Sequence, residues 1–144
     1  MGLEIRVFRA EDHAQAWRLW ESSEGVGLSS ADSFENVARF LQRNPGLSFV
    51  AVDGYTVVAT ILCGHDGRRG LIHHLAVASA YRRNGLGRSL VARCLAALRH
   101  DGIEKCHLLV FRENAAGRAF WQRVGAEERV ALSVFSLPTS IDER

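Results

Sequence analysis

Arg82-Arg83-Asn84-Gly85-Leu86-Gly87-Arg88 follows an apolar run with strand character and opens a run with helical periodicity. That is the layout of an anion cradle. Two glycines allow close backbone approach and positive φ, while the unpaired amides of a helix start, aided by the helix dipole, face a negative group. Arg82, Arg83 and Arg88 add fixed positive charge. Upstream, Leu71 to Val77 is almost continuously apolar apart from His73 and His74, as expected of a central strand. Downstream, Leu86, Leu90, Val91, Cys94, Leu95 and Leu98 mark one face of an amphipathic helix that stops at Asp101-Gly102.

Outward from this unit the remaining elements follow by periodicity and turn chemistry. Glu4 to Phe8 alternates as a strand, and Ala10 to Trp20 repeats at helical spacing. A loop rich in Gly and Ser leads to Asp32, read as the N-cap of a helix with Glu35 three residues on, ending before Asn44-Pro45-Gly46. Leu47 to Val52 and Thr56 to Cys63 form an antiparallel pair about Asp53-Gly54. Lys105 to Phe111 reads as a buried strand, Asn114 to Val124 as a helix closed by Gly125, and Val130 to Leu137 as a final strand. The order βααβββαβαβ describes an α/β chain with a mixed sheet, an antiparallel start leading into a strand, helix, strand crossover. The cradle then lies at the carboxyl end of a central strand, where open α/β sheets bind ligands.

Composition narrows the partner. The 144 residues suit one domain spanning 1–144, with 47% hydrophobic and 24% charged residues. A net charge of +2, with both signs scattered, argues against nucleic acid and for a small phosphorylated ligand. No run is long and apolar enough for a leader or a membrane span, so a cytoplasmic protein is expected. Cys63, Cys94 and Cys106 are odd in number and lie in apolar runs, as reduced core thiols do. No metal is expected: a zinc site using Cys106, His107 or His65 lacks paired ligand spacing.

The glycines also exclude two phosphate motifs. A P-loop requires a lysine after its last glycine, and Arg88-Ser89 stands there. A dinucleotide fingerprint requires three glycines in the first βα turn, and only Gly85-x-Gly87 exists, in mid-chain. The segment does match R/Q-x-x-G-x-G/A through Arg82, Gly85 and Gly87. It thereby resembles the pyrophosphate signature of the GNAT superfamily of N-acetyltransferases. His74-Leu75-Ala76-Val77 resembles the family's preceding strand, and Asn114 with Ala119-Phe120-Trp121-Gln122-Arg123-Val124-Gly125-Ala126 resembles its N…A-L-Y-E-K-L-G-F segment. The element order agrees across nearly the whole chain. The opening Ile5 to Arg9 and the Gly64 to Gly70 turn are similar to those of small uncharacterised bacterial members, the YpeA-like group.

The resemblance implies the GNAT fold, with the mixed sheet splayed between strands 4 and 5, and acetyl-coenzyme A as cosubstrate. Arg82, Arg83, Asn84, Gly85, Leu86, Gly87 and Arg88 would hold the pyrophosphate. Backbone groups of Leu75, Ala76 and Val77 would hold the pantetheine arm as an added strand. Asn114, Phe120 and Trp121 would line the coenzyme; Asn114 also fits as an N-cap. Trp121 stands where many members have a tyrosine acid, and indole donates a hydrogen bond but is no acid. A thiol of pKa about 8.5 can leave as thiolate without one.

The implied activity is direct transfer to a primary amine of a small molecule or peptide, which requires a base to deprotonate the ammonium. The candidates are His73 and His74. Strand alternation puts His73 on one face with Leu71, Leu75 and Val77, and His74 on the other with Ile72 and Ala76. His73 falls at a position where arylalkylamine acetyltransferases of the superfamily carry histidine; Leu71 fills the other. Leu109 occupies the place of a glutamate found in some relatives. A coenzyme A or acyl-coenzyme A binding module without transfer activity is the alternative, motivated by the missing tyrosine and glutamate. Dimerisation is common in the family, so a homodimer is also implied. The acceptor stays open, because peptide termini, lysines, aminoglycosides, polyamines and metabolites all have acetyltransferases on this fold.

Overall fold

The computed structural model describes residues 2–140, so the two ends of the expected domain lie outside the described residues. Five strands form one sheet in the order of the chain: β1 (Leu3–Val7), β2 (Phe49–Asp53), β3 (Thr56–His65), β4 (Gly70–Val77) and β5 (Cys106–Leu108). The first four are antiparallel to their neighbours, whereas β4 and β5 run parallel. Helices α1 (His13–Glu21) and α2 (Phe34–Arg43) cover one face, and α3 (Leu86–His100) covers the other; α4 (Ala115–Arg123) follows β5.

Alternation along the strands sorts two cores. Phe49, Ala51, Ile61 and Cys63 meet Leu90, Val91 and Cys94 of α3, while Val50, Val52 and Leu62 meet Trp20 of α1 and Val37 of α2. The α3 stripe is the expected one, and each fully buried aliphatic side chain in it contributes about 1.5–3 kcal/mol. Trp20 is completely buried, and its indole N–H donates to Thr60 Oγ1 at 2.9 Å, so burial leaves no orphan donor.

Four local expectations change. The β2–β3 hairpin turns on Gly54-Tyr55 rather than Asp53-Gly54, because Asp53 pairs with Thr56 and Gly54 takes φ +63°. Glycine at the first central position suits a II′ turn. The N-cap of α2 is Ser33, whose hydroxyl accepts from the Asn36 amide at 3.2 Å; Asp32 ends a preceding 3-10 turn, Ser30–Asp32. The strand expected over 105–111 contracts to Cys106–Leu108, and Leu109 and Phe111 beyond it are exposed rather than buried. The strand expected over 130–137 makes no strand pairing among the described residues, and its apolar residues are exposed. The two differences have one cause: without a neighbour on its outer side, β5 has nothing to bury against.

Among the described residues, no helix is long and apolar enough to cross a membrane. A partly buried ion pair joins β1 to the start of α1. The Asp12 carboxylate receives both Arg6 guanidinium nitrogens at 2.9 Å and the Arg9 amide at 2.8 Å. Burial alone would raise the Asp12 pKa, but these donors outweigh it and hold the carboxyl below its usual range. The linkage stabilises the fold above the unfolded-state pKa and fades as pH falls through the lower folded value. Asp12→Asn is therefore expected to cost about 1.5–3 kcal/mol at pH 7. Urea unfolding should show a gap from wild type that shrinks as the pH is lowered toward 2; a gap independent of pH would contradict the ion pair's role.

Candidate active site

The site begins with a defect in β4. Leu62 pairs with His73 and Thr60 with Ala76, so His74 and Leu75 stand opposite the single residue Ile61. This is a β-bulge, and His74 absorbs it at φ +50°. The αL region is uncommon for a residue other than glycine, and it persists here because three contacts hold it. Thr60 Oγ1 donates to the His74 carbonyl at 2.9 Å, the ring lies 4.8 Å from that of Trp20, and His74 Nε2 donates to Asp32 Oδ1 at 2.6 Å.

The bulge changes which way the strand's side chains face. Ile72, Leu75 and Val77 pack toward α3, whereas His73, His74 and Ala76 lie toward α1 and α2. The expected separation of the histidines onto opposite faces is therefore incorrect. An extra residue resets the two-residue alternation, and two consecutive histidines share one side.

The bulge also precedes an opening in the sheet. Parallel pairing of β4 with β5 covers only Gly70 to Ile72, opposite Cys106 to Leu108. From His73 onward the β5 side of β4 is unpaired. The Ala78 amide bonds the Val58 carbonyl on β3 at 2.8 Å, so alternation turns the peptide groups of Val77 and Leu75 toward the open side. Ala76 faces back to β3, opposite Thr60.

At the end of this edge the chain passes through a short 3-10 turn, Ser79–Tyr81, into the arginine-glycine cradle. Arg82 Nε donates to the Val77 carbonyl at 2.9 Å, tying the cradle to the strand end. Arg83 takes φ +66°, and Gly85, the N-cap of α3, takes φ +75° with no side-chain cap. The first amide of α3 with an acceptor is that of Ser89, on the Gly85 carbonyl at 3.0 Å. The amides of Leu86, Gly87 and Arg88 have none among the described residues. They converge at the positive end of a fifteen-residue helix, an arrangement that fits a phosphate group. Asn84 completes the turn. Phe120 of α4 walls it, since a Cβ added to Gly87 would lie 3.3 Å from the Phe120 ring.

Trp121 packs edge-on to Phe120, with ring centroids 5.1 Å apart. Asn114 caps α4, accepting from the Gly117 amide at 3.0 Å. It also touches the α1–α2 loop: a Cβ on Gly25 would meet Asn114 Nδ2 at 2.6 Å, and one on Gly27 would meet the Phe111 ring at 2.9 Å. The glycines of this loop thus let it close onto the β5–α4 segment.

Across the sheet lies a cavity of about 310 Å³ between the loop, α2 and β4. Asp32, Asn36, Phe40, Leu62, His73 and His74 line it. His73 stands edge-on to Phe40, with centroids 6.0 Å apart. No hydrogen bond to its ring is present among the described residues. Burial, with a smaller contribution from neighbouring His74, pulls the His73 pKa below 6.5 against the opposing pull of Asp32.

Asp32 is a site residue whose sequence context reads only as a cap. It is a cap, accepting the Ser29 amide at 3.0 Å through Oδ2, and its second oxygen is left for His74. His13 fixes it further by donating to its carbonyl at 2.8 Å. The signal available in the sequence was redundancy, two successive capping residues, Asp32 and Ser33, where one suffices.

Other candidates lie outside the site's chemistry. The Tyr81 hydroxyl donates to Asp53 Oδ2 at 2.5 Å, and that bond pushes its pKa up; Tyr55 is exposed at the hairpin tip. Cys63 and Cys94 are fully buried, and all three cysteines are free. The Cys94 pKa is driven far up, chiefly by its hydrogen bond with Cys63 and by burial, and burial raises that of Cys106. None has the electropositive setting of a nucleophile.

The chain matches the acetyltransferase (GNAT) family over residues 10–126. An acetyltransferase of Photorhabdus laumondii is 33% identical over 142 residues, covering 98% of this chain and 99% of that relative. Ard1 of Thermoplasma volcanium shares the fold at a TM-score of 0.76 and 21% identity, over 87% of this chain and 82% of that one. The PaiA N-acetyltransferase of Thermoplasma acidophilum, solved in complex with coenzyme A, does so at 0.73 and 19%, over 85% and 88%. The uncapped start of α3, the bulged and splayed β4 and the family match agree: this acetyltransferase belongs to the GNAT family.

Proposed function

We propose that the chain moves an acetyl group from acetyl-coenzyme A to a primary amine of a small molecule or peptide, by direct attack of the amine on the thioester. The observation that carries this reading is the bulge at His74. It stands where β4 has lost its β5 partner on one side, and it turns both histidines into the cavity on the other. The donor and acceptor halves of a transfer reaction thereby meet on one strand. The free cysteines suit a reducing, cytoplasmic setting.

The residues fit the coenzyme. The amides of Leu86, Gly87 and Arg88, with Arg82 and Arg83 nearby, would hold the pyrophosphate, and Gly85 provides the turn that aims them. The open peptide groups of Leu75 and the Val77 amide would hold the pantetheine arm, the Val77 carbonyl being held by Arg82, with Phe120, Trp121 and Asn114 along the arm's other side. When bound, the coenzyme supplies an activated acyl group. An amide on the open edge of β4 can stabilise the oxyanion formed on attack.

On the acceptor side, His73 takes the proton from the incoming ammonium. Its lowered pKa keeps it neutral near pH 7, and its unbonded ring leaves a lone pair for the task. His74 is committed to Asp32 and serves as a positioning residue. The Asp32 carboxylate at the cavity wall also attracts a cation. Departure of the thiol needs no side-chain acid, consistent with a tryptophan at position 121.

Acetyl-coenzyme A mixed with purified protein and a panel of primary amines should release free thiol, read with a thiol-reactive dye; no release with any amine would refute transfer. Gly85→Glu should weaken coenzyme A binding at least a hundredfold by calorimetry while the circular dichroism spectrum stays native. Unchanged affinity would remove the cradle from the site.

The acid limb of the kcat/KM profile should fall below pH 6.5, since protonating His73 removes the base as pH drops through its lowered pKa. His73→Gln should lose about 10²–10⁴ in kcat/KM and flatten that limb. A full-rate His73→Gln enzyme with the same profile would mean that the proton leaves through water instead.

A further inference from the structure

Granting the transfer chemistry proposed for this site, we infer that the cavity selects a compact primary monoamine whose body is apolar and which carries no carboxylate. Size is the first observation. At about 310 Å³ the cavity lies at the lower end of small-molecule pockets. With a water's share of liquid volume near ~30 Å³, that is room for about ten heavy atoms. A peptide of several residues or an aminoglycoside exceeds it.

Charge and polarity narrow it further. Among the described residues, the cavity wall has one carboxylate, Asp32, and no lysine or arginine. An ammonium therefore finds a counter-charge, whereas a carboxylate on the same acceptor would be buried without one. Most other polar side chains of the wall are already engaged. Asn36 donates through Nδ2 to the Ser30 carbonyl at 2.8 Å and accepts from Arg39 at 2.7 Å, and the Ser29 hydroxyl accepts from the Ala31 amide at 3.2 Å. Asp32 is bonded through both oxygens yet keeps lone pairs for a further donor, and the His73 ring has no hydrogen-bond partner among the described residues. The cavity thus offers partners to one amine but leaves a second amine or a row of hydroxyls poorly matched.

The rest of the wall is apolar, formed chiefly by buried Val37 and Leu62 and by Phe40. Phe40 is held in place. A Cβ on Gly64 of β3 would lie 2.9 Å from the tip of its ring, so glycine there lets the ring pack against the strand. Asn44 ties the end of α2 to β3, donating to the Phe40 carbonyl at 3.2 Å and accepting from the His65 amide at 3.0 Å. A fixed ring edge-on to His73 is a platform for a branched alkyl or aryl body beside the base. Toward the β5–α4 segment the cavity does not run on as a groove for a longer chain: Gly27 in its wall rests on the Phe111 ring, which an added Cβ would meet at 2.9 Å.

Thiol release from acetyl-coenzyme A should be fastest with isopentylamine and benzylamine. Their kcat/KM should exceed that of leucine and phenylglycine, the same bodies bearing a carboxylate, by about 100-fold or more, and that of spermidine, kanamycin and trialanine by about tenfold or more. An amino acid, polyamine, aminoglycoside or peptide used as well as the monoamines overturns the inference. Phe40→Ala should lengthen the cavity, lowering kcat/KM for benzylamine about tenfold or more while raising it for 4-phenylbutylamine, a gain that misfolding cannot produce. An unchanged preference removes Phe40 from the site and overturns the selection. Saturation-transfer NMR of the wild-type chain without acetyl-coenzyme A reads the cavity apart from the reaction. Benzylamine should bind and phenylacetate should not; equal signals, or none from benzylamine, overturn the selection even if amines are acetylated. Benzylamine bound selectively, with no thiol released by any amine, would refute the transfer while the selection stands.

Discussion

The bulge at His74 is the constraint on which the rest of the site depends. Left-handed backbone at a histidine costs on the order of 1 kcal/mol, and neighbouring groups must over-determine it. Here the Trp20 indole holds Thr60, Thr60 holds the His74 carbonyl, and Asp32 holds the ring. Remove the extra residue and β4 resumes its alternation, so that one histidine turns to the α3 side. The fully buried Trp20 and Thr60 thus support a strained backbone more than they fill space, which explains a polar pair in the middle of an otherwise apolar core.

The two halves of the site are made from different materials. Toward the cradle the working groups are backbone: peptide groups on the open edge of β4 and the uncapped amides of α3. Backbone is indifferent to side-chain identity, so this half needs only glycine at two positions and a helix start. Toward the cavity the working groups are side chains: Asp32 from the α1–α2 loop, Phe40 from α2 and His73 from β4. Substitution there changes what fits without disturbing the other half. In the proposed transfer the first half would take the coenzyme and the second the amine.

The sequence made the helices and the cradle legible because their signals are local. The apolar stripe of α3, the stop at Asp101-Gly102 and the two glycines of the cradle depend only on near neighbours. The misreadings involve information held elsewhere in the chain. His74 carries no mark of positive φ, since its conformation is imposed by Thr60 and Asp32, distant in sequence. Asp32 and Ser33 both carry capping signals, and that Asp32 closes the preceding 3-10 turn and turns its second oxygen to a histidine on another element is a tertiary matter. Residues 130–137 have the composition of a strand, but composition names no partner. Their exposure and that of Phe111 are one fact seen from two sides.

That fact bears on the site itself. Asn114, Phe120 and Trp121 all belong to the β5–α4 segment, where β5 spans only three paired residues and α4 buries none of its own. The same segment receives the α1–α2 loop through the contacts of Gly25 with Asn114 and Gly27 with Phe111. So the least-packed part of the fold supports both the Phe120 wall of the cradle and the loop that carries Asp32. Local stability follows packing, and such a region opens more readily than the β2–β4 core.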